Sequence, residues 1–234
     1  MNLDAVRAWL IDLDGTLVDT LGDFVAAWAQ ASQNLGLPTR DAATLRPLIR
    51  RLIGRGGERL VRDLLAEAPP GAPDFDTAWA AYRAAYAAVN GQHAQAFPGA
   101  AEALQALGAS GRRLACVTNK PQVQAEALLE QLGMRSYFAD VVGQRPGLRA
   151  KPHPDAFEAA ARQLGVPTRA CGVIGDSRND FEAARTAGCH PVLLLRHGYN
   201  HGDPVDAVPA DAHLDDWPAL LDGFSARSCR AAGL

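Results

Sequence analysis

The chain has 234 residues, 48% of them hydrophobic and 21% charged, with a formal net charge of -3 at pH 7. That balance excludes a disordered or fibrous protein and suits one large α/β domain, or such a domain with a smaller insert. The basic residues form no run or stripe, so no nucleic-acid partner is expected. No apolar run approaches the roughly 20 residues of a membrane span, so no membrane partner is expected either.

The first predicted element is the buried strand Ala8 to Leu13, read from a nearly continuous apolar run. The residues before it carry acids and lead straight into the strand, which argues against a secretory leader and makes the cytoplasm the expected compartment. From residue 20 to residue 92 the pattern is helical only. Phe24, Trp28, Ala31 and Leu35 recur at helical spacing, as do Leu60, Val61, Leu64 and Leu65, then Trp79, Tyr82 and Tyr86. The aromatics read as the small core of this segment rather than as a ligand cage, and Pro69 to Pro73 reads as a surface turn.

Further on, strand patterns cover Leu114 to Thr118, Asp140 to Val142, Gly172 to Ile174 and Pro191 to Leu195, with a short one at Ala212 to Leu214. Helical patterns lie between them at Pro121 to Leu132, Pro154 to Leu164 and Phe181 to Ala187, followed by Gly133, Gly165 and Gly188 as stops. This alternation predicts a doubly wound, Rossmann-like parallel sheet, an α/β fold with an inserted all-helical cap subdomain in its first crossover. The expected division is a core of residues 1–18 and 95–224, a cap of residues 19–94 and a frayed tail at 225–234. Such an insert sits at the carboxyl edge of the sheet, where a lid is useful. Cys116, Cys171, Cys189 and Cys229 match no zinc spacing and read as small buried residues kept reduced.

The run IDLDGTLVD places Asp12 and Asp14 where the first strand ends, with Gly15-Thr16 as turn chemistry. Two acids so close repel unless a cation or proton separates them. A hard divalent ion such as Mg²⁺ suits carboxylate and phosphate oxygens together. An EF-hand is excluded, because its sixth position needs Gly and Leu17 stands there.

With its companions, this run strongly resembles the haloacid-dehalogenase-like hydrolases, whose first motif is hhhDxDGTLxD. The second motif is matched by Cys116-Val117-Thr118-Asn119-Lys120, the third by Lys151-Pro152-His153-Pro154, the fourth by Gly175-Asp176-Ser177-Arg178-Asn179-Asp180. The resemblance implies phosphoryl transfer, with Asp12 as nucleophile forming an aspartyl-phosphate and Asp14 as general acid and then base. It implies Mg²⁺ on Asp12, the Asp14 carbonyl and Asp176, with Asp180 holding a metal-bound water. Thr118 and the Asn119 amide would donate to phosphoryl oxygens, and Lys151 would neutralise charge and keep Asp12 ionised. The alternative reading of Asp180 is a helix N-terminal acid; Asp19 reads as a helix cap and His153 has no role. Asp14 disfavours dehalogenases, which have an aromatic residue there, and P-type pumps, which have Lys.

Ile53 to Val61 is a glycine-rich turn opening a helix, suited to an anion through Arg55, Gly56 and Gly57, or else a plain turn. It resembles the cap motif of bacterial phosphoglycolate phosphatases, as does the late run Arg196-His197-Gly198-Tyr199-Asn200-His201-Gly202. His197 departs from that family's aromatic residue. Thr20-Leu21-Gly22-Asp23 lacks its proline, which implies a looser lid hinge. The expected partner is a small phosphorylated metabolite, 2-phosphoglycolate first. The rivals are another phosphatase substrate (a sugar phosphate, an aminosugar phosphate or pyrophosphate), a phosphomutase, and a non-catalytic phospholigand-binding module.

Overall fold

Strand β1 (Ala8–Ile11) lies at the middle of the sheet in the computed structural model, which describes residues 3, 5–54 and 56–222. After it come β2 (Val18–Asp19) and four helices, α1 (Leu21–Asn34), α2 (Ala42–Leu52), α3 (Gly57–Ala66) and α4 (Phe75–Val89). Strand β3 (Gln95–Ala96) and α5 (Ala100–Ala109) lead into β4 (Arg113–Pro121), α6 (Gln122–Gln131) and β5 (Asp140–Gln144). The chain closes with α7 (Asp155–Leu164), β6 (Cys171–Gly175), α8 (Arg178–Ala187), β7 (Val192–Leu195) and β8 (Ala212–Leu214). The six-stranded sheet has the order β5-β4-β1-β6-β7-β8, and each of its pairs is parallel.

The strands are apolar on both faces because both are covered. Trp9, Ile11 and Leu13 join Leu114 and Cys116 in one core, while Ala8 and Leu10 join Ala115, Val117 and Val173 in the other. That period of two divides each apolar run between two layers of helices. The cysteine reading stands for Cys116, Cys171 and Cys189, which are free and buried; Cys229 and the tail lie outside the described residues.

Residues 20–92 hold helices alone, and they pack on a core of their own that includes Trp28, Leu45, Ile49, Leu60, Val61, Tyr82 and Tyr86. Asp41 caps α2 by accepting from Thr44 N at 2.7 Å, and Asp74 caps α4 by accepting from Thr77 N at 2.8 Å. A two-stranded ribbon, which two-residue strands give no pattern to reveal, carries the chain out of the sheet and back. In it Val18 pairs with Ala96 and Asp19 with Gln95, antiparallel. Buried Asp23 ties the two connections together, accepting from Gly91 N at 2.6 Å and His93 N at 2.8 Å. Proline is therefore not what holds this entry. Among the described residues no helix is long and apolar enough to cross a membrane.

Candidate active site

The strand order reverses direction at β1: the chain runs outward to β4 and β5, then returns to β6 on the opposite flank. A crevice opens at the carboxyl ends of strands at such a point. Asp12 follows β1, Thr118 and Asn119 stand near the end of β4, Lys151 follows β5 and Asp176 follows β6. Four segments far apart in sequence thus deliver their polar side chains to one place.

Lys151 is the hub. Its ammonium donates to Asp12 Oδ1 at 2.7 Å, to Asp180 Oδ1 at 2.7 Å and to the Val117 carbonyl at 2.9 Å. All three of its donors are thereby used. Burial alone would lower its pKa, but the Asp12 and Asp180 carboxylates raise it above the ordinary lysine value. Its backbone is braced by Asn119, whose Oδ1 accepts from Lys151 N at 2.8 Å and whose Nδ2 donates to the Lys151 carbonyl at 3.0 Å.

Of the two readings the sequence allowed for Asp180, the helix N-terminal acid is the one observed. It forms a capping box with Ser177 at the start of α8, accepting from Ser177 Oγ at 2.7 Å and Ser177 N at 3.2 Å. Its other oxygen takes Lys151. Asp176 is gripped by Thr16 Oγ1 at 3.2 Å and by Tyr199 N at 2.6 Å. Two glycines make that fit possible. Gly15 adopts φ +84, and a Cβ there would come within 2.6 Å of Asp176 Oδ2; a Cβ on Gly198 would overlap the Asp176 carboxylate.

Carboxylate oxygens of Asp12, Asp176 and Asp180 lie within 4.8 Å of one another. One ammonium cannot balance three buried acids. Burial and the neighbouring Asp180 push Asp176 up to about 7, and burial raises Asp12 well above the usual carboxylate range although Lys151 opposes it. An all-oxygen, charge-deficient donor set fits a hard divalent cation such as Mg²⁺. The side chain of Asp14 is not part of this cluster. It turns toward Lys120, whose Nζ lies 3.4 Å from Asp14 Oδ1.

The helical unit meets this floor through carbonyls. Gly54 O accepts from Asn179 Nδ2 at 2.9 Å and from Asn119 Nδ2 at 3.3 Å, and Ile53 O faces His201 Nδ1 at 2.8 Å. Gly56 and Gly57 stand at the start of α3, with Gly56 at φ 88. Arg55 lies outside the described residues. From α2, Arg50 donates to the Gly198 carbonyl at 2.8 Å.

Tyr199 was quoted in a motif without a role, and Lys120 likewise; both are part of the site. Thr20 N and Leu21 N donate to the Tyr199 hydroxyl at 2.9 Å and 3.1 Å, and that hydroxyl donates to Asp19 Oδ1 at 2.6 Å. The residue that grips Asp176 thus also pins the start of α1. The N-cap of α1 is Thr20, not Asp19; Asp19 stands one residue earlier and accepts from Leu21 N at 3.1 Å. His197 takes the aromatic position: its ring stacks on Phe97 with centroids 4.0 Å apart, and burial lowers its pKa.

Comparison with known proteins agrees with this geometry. The profile of the haloacid dehalogenase-like hydrolases matches residues 6–188. A phosphoglycolate phosphatase of Cupriavidus necator is 40% identical over 215 residues, 91% of this chain and 90% of that protein. One from Thiobacillus denitrificans is 37% identical over 88% of this chain and 90% of that protein. The crystal structure of a predicted phosphoglycolate phosphatase from Haemophilus somnus superposes with a TM-score of 0.84 at 29% identity, covering 94% of this chain and 98% of that one.

Proposed function

Since the chain belongs to the haloacid dehalogenase-like hydrolases, we propose that it is a cytoplasmic phosphatase that hydrolyses 2-phosphoglycolate to glycolate and phosphate. The observation that carries the reading is the opposite partnership of two acids on one turn. Asp12 is bound into the acid cluster by Lys151, while Asp14 faces away from the cluster toward Lys120. One acid is held for attack and the other is kept apart to handle a proton. The similarity to phosphoglycolate phosphatases supplies the substrate.

In this reading an Asp12 oxygen attacks phosphorus and forms an acyl phosphate. Asp14 gives a proton to the departing glycolate oxygen, then takes one from the water that cleaves the acyl phosphate. Thr118 Oγ1 and the Asn119 N–H donate to the phosphoryl oxygens. Lys151 keeps Asp12 oriented and ionised beside the incoming dianion. Asp12, Asp176 and Asp180 would hold Mg²⁺, together with the Asp14 carbonyl that the family resemblance implies, and the ion would supply charge to the transferring phosphoryl group. Residues 19–94 act as a lid over a core of residues 1–18 and 95–224, excluding water during transfer.

Steady-state hydrolysis of a panel of phosphate esters in Mg²⁺ tests the reading. 2-Phosphoglycolate is expected to lead in kcat/KM. A hexose phosphate, aminosugar phosphate or pyrophosphate ahead of it by orders of magnitude would overturn the substrate, and isomerised phosphosugar in place of free phosphate would overturn the reaction.

A further inference from the structure

Lys120 is a buried ammonium whose carboxylate partner among the described residues, Asp14, stands at 3.4 Å. Its side chain is 1% exposed. Its ammonium bonds the hydroxyl of Tyr86 from α4, and it lies 4.6 Å from the centroid of the Tyr86 ring and 5.6 Å from that of Phe24. Burying an ammonium against aromatic rings costs several kcal/mol unless its charge is used. A residue needed only to fill this space would be apolar, as its neighbours in the helical core are.

We propose that Lys120 binds the carboxylate of the substrate's leaving group, and so selects esters with an anionic tail; this rests on the 2-phosphoglycolate reading above. The carboxylate carbon of that substrate is two bonds from the bridging oxygen that Asp14 must protonate. A cation 3.4 Å from Asp14 Oδ1 is therefore beside the tail whenever Asp14 is beside the bridging oxygen. An ammonium has three donors. Tyr86 and Asp14 take two of them, and the third is available to a carboxylate oxygen.

Two other described cations at the cleft are engaged elsewhere. Lys151 is spent on Asp12, Asp180 and the Val117 carbonyl, and Arg50 holds the Gly198 carbonyl. The backbone agrees as well. Lys120 N donates to Thr118 Oγ1 at 3.1 Å, so the residue for the tail is fixed directly to a residue for the phosphate. The rings of Phe24 and Tyr86 keep water off the ammonium, which strengthens its attraction for an anion. Because Tyr86 belongs to the helical unit, the tail is read only when that unit is seated on the core.

The test compares kcat/KM of the wild type and of Lys120→Met on three esters: 2-phosphoglycolate, ethyl phosphate and phosphoethanolamine. Whatever the variant loses on ethyl phosphate, it is expected to lose about 100-fold more on 2-phosphoglycolate. The cationic tail responds with the opposite sign: phosphoethanolamine gains relative to ethyl phosphate once the lysine charge is gone. Equal losses on all three esters would overturn the proposal and make Lys120 a support for Asp14. A wild-type preference for 2-phosphoglycolate that survives in Lys120→Met would overturn the proposal and leave the substrate reading standing. A wild type that treats ethyl phosphate and 2-phosphoglycolate alike would overturn both, before any variant is made. Should Lys120→Met not fold, Lys120→Gln carries the same comparison, since it keeps a donor toward Tyr86 and loses only the charge.

Discussion

The sheet edge and the helical unit face each other across one cleft but are built differently. On the sheet edge each polar side chain answers to others: Lys151 to Asp12 and Asp180, Asp176 to Thr16 and Tyr199, Asn119 to the Lys151 backbone. The helical unit meets that floor at separate points: the carbonyls of Ile53 and Gly54, Arg50, the Tyr86 hydroxyl, and the start of α1 at the Tyr199 hydroxyl. A mutually bonded floor holds reacting atoms to a fixed geometry, which phosphoryl transfer requires. A sparse contact surface can separate and close again, which admitting a substrate requires. Under the proposed reading the chemistry sits on the sheet edge, and substrate is read where Lys120 of that edge meets Tyr86 of the helical unit.

The sharpest way to break this division is at the nucleophile. Asp12→Asn is expected to lower kcat by about 10⁴-fold or more, read by phosphate release under saturating substrate. Full turnover in that variant would take the covalent mechanism away. Thr118→Ala comes next, removing one donor to the phosphoryl oxygens for a loss of about 10²-fold in kcat. If the loss appears in KM alone, Thr118 serves binding and not the transition state.

Charge on the floor gives a third test, with a sign. In metal-free protein Asp176 titrates at about 7, raised by burial and by Asp180, against about 3.9 for an ordinary aspartate. The folded form therefore holds a proton that the unfolded chain releases, and metal-free stability falls as pH rises from about 4 to about 7. Asp12 is raised by burial too and acts in the same direction. The melting temperature without metal should decline across that window, and millimolar Mg²⁺ should raise it most at the upper end, because the ion takes the ionised acids. A flat metal-free profile would contradict the account. The smallest effect belongs to the contact between the two sides. Asn179→Ala removes one of two bonds to the Gly54 carbonyl, and a change of about 3-fold in KM with kcat nearly unchanged is expected. A kcat loss comparable to that of Thr118→Ala would mean that the two sides are not separable.

The same contrast decides what the sequence could reveal. β1 was legible because burial on both faces leaves an unbroken apolar run, and Asp12, Asp14 and Asp176 because each stands where a strand stops, whereas Lys151, well past the end of β5, was marked by its Lys-Pro-His-Pro run. Local patterns of that kind survive in one dimension. The bond between Lys120 and Tyr86 joins residues 34 apart, and that between Tyr199 and Asp19 joins residues 180 apart. No periodicity marks such a pair; only the fold brings its members together. The glycine-rich turn allows an anion site or a plain turn, and its described contacts with the core run through the carbonyls of Ile53 and Gly54. Peptide orientation follows from how a loop packs, and glycine composition does not specify it.

The position of β1 also governs how the molecule is made. Both of its neighbours, β4 and β6, come later in the chain, and the whole helical segment is synthesised before either. Strand β1, which leads into the proposed nucleophile Asp12, therefore leaves the ribosome with no partner and must wait, apolar on both faces, while the helices form beside it. Non-local parallel pairing of this kind is slow and exposes the chain to aggregation in the meantime. A polypeptide stopped short of β6 has Asp12 and Asp14 but neither Asp176 nor Asp180. Truncated products of this gene would thus be inert as well as fragile, and reactivity would arise late, when the final strands are threaded in beside the first.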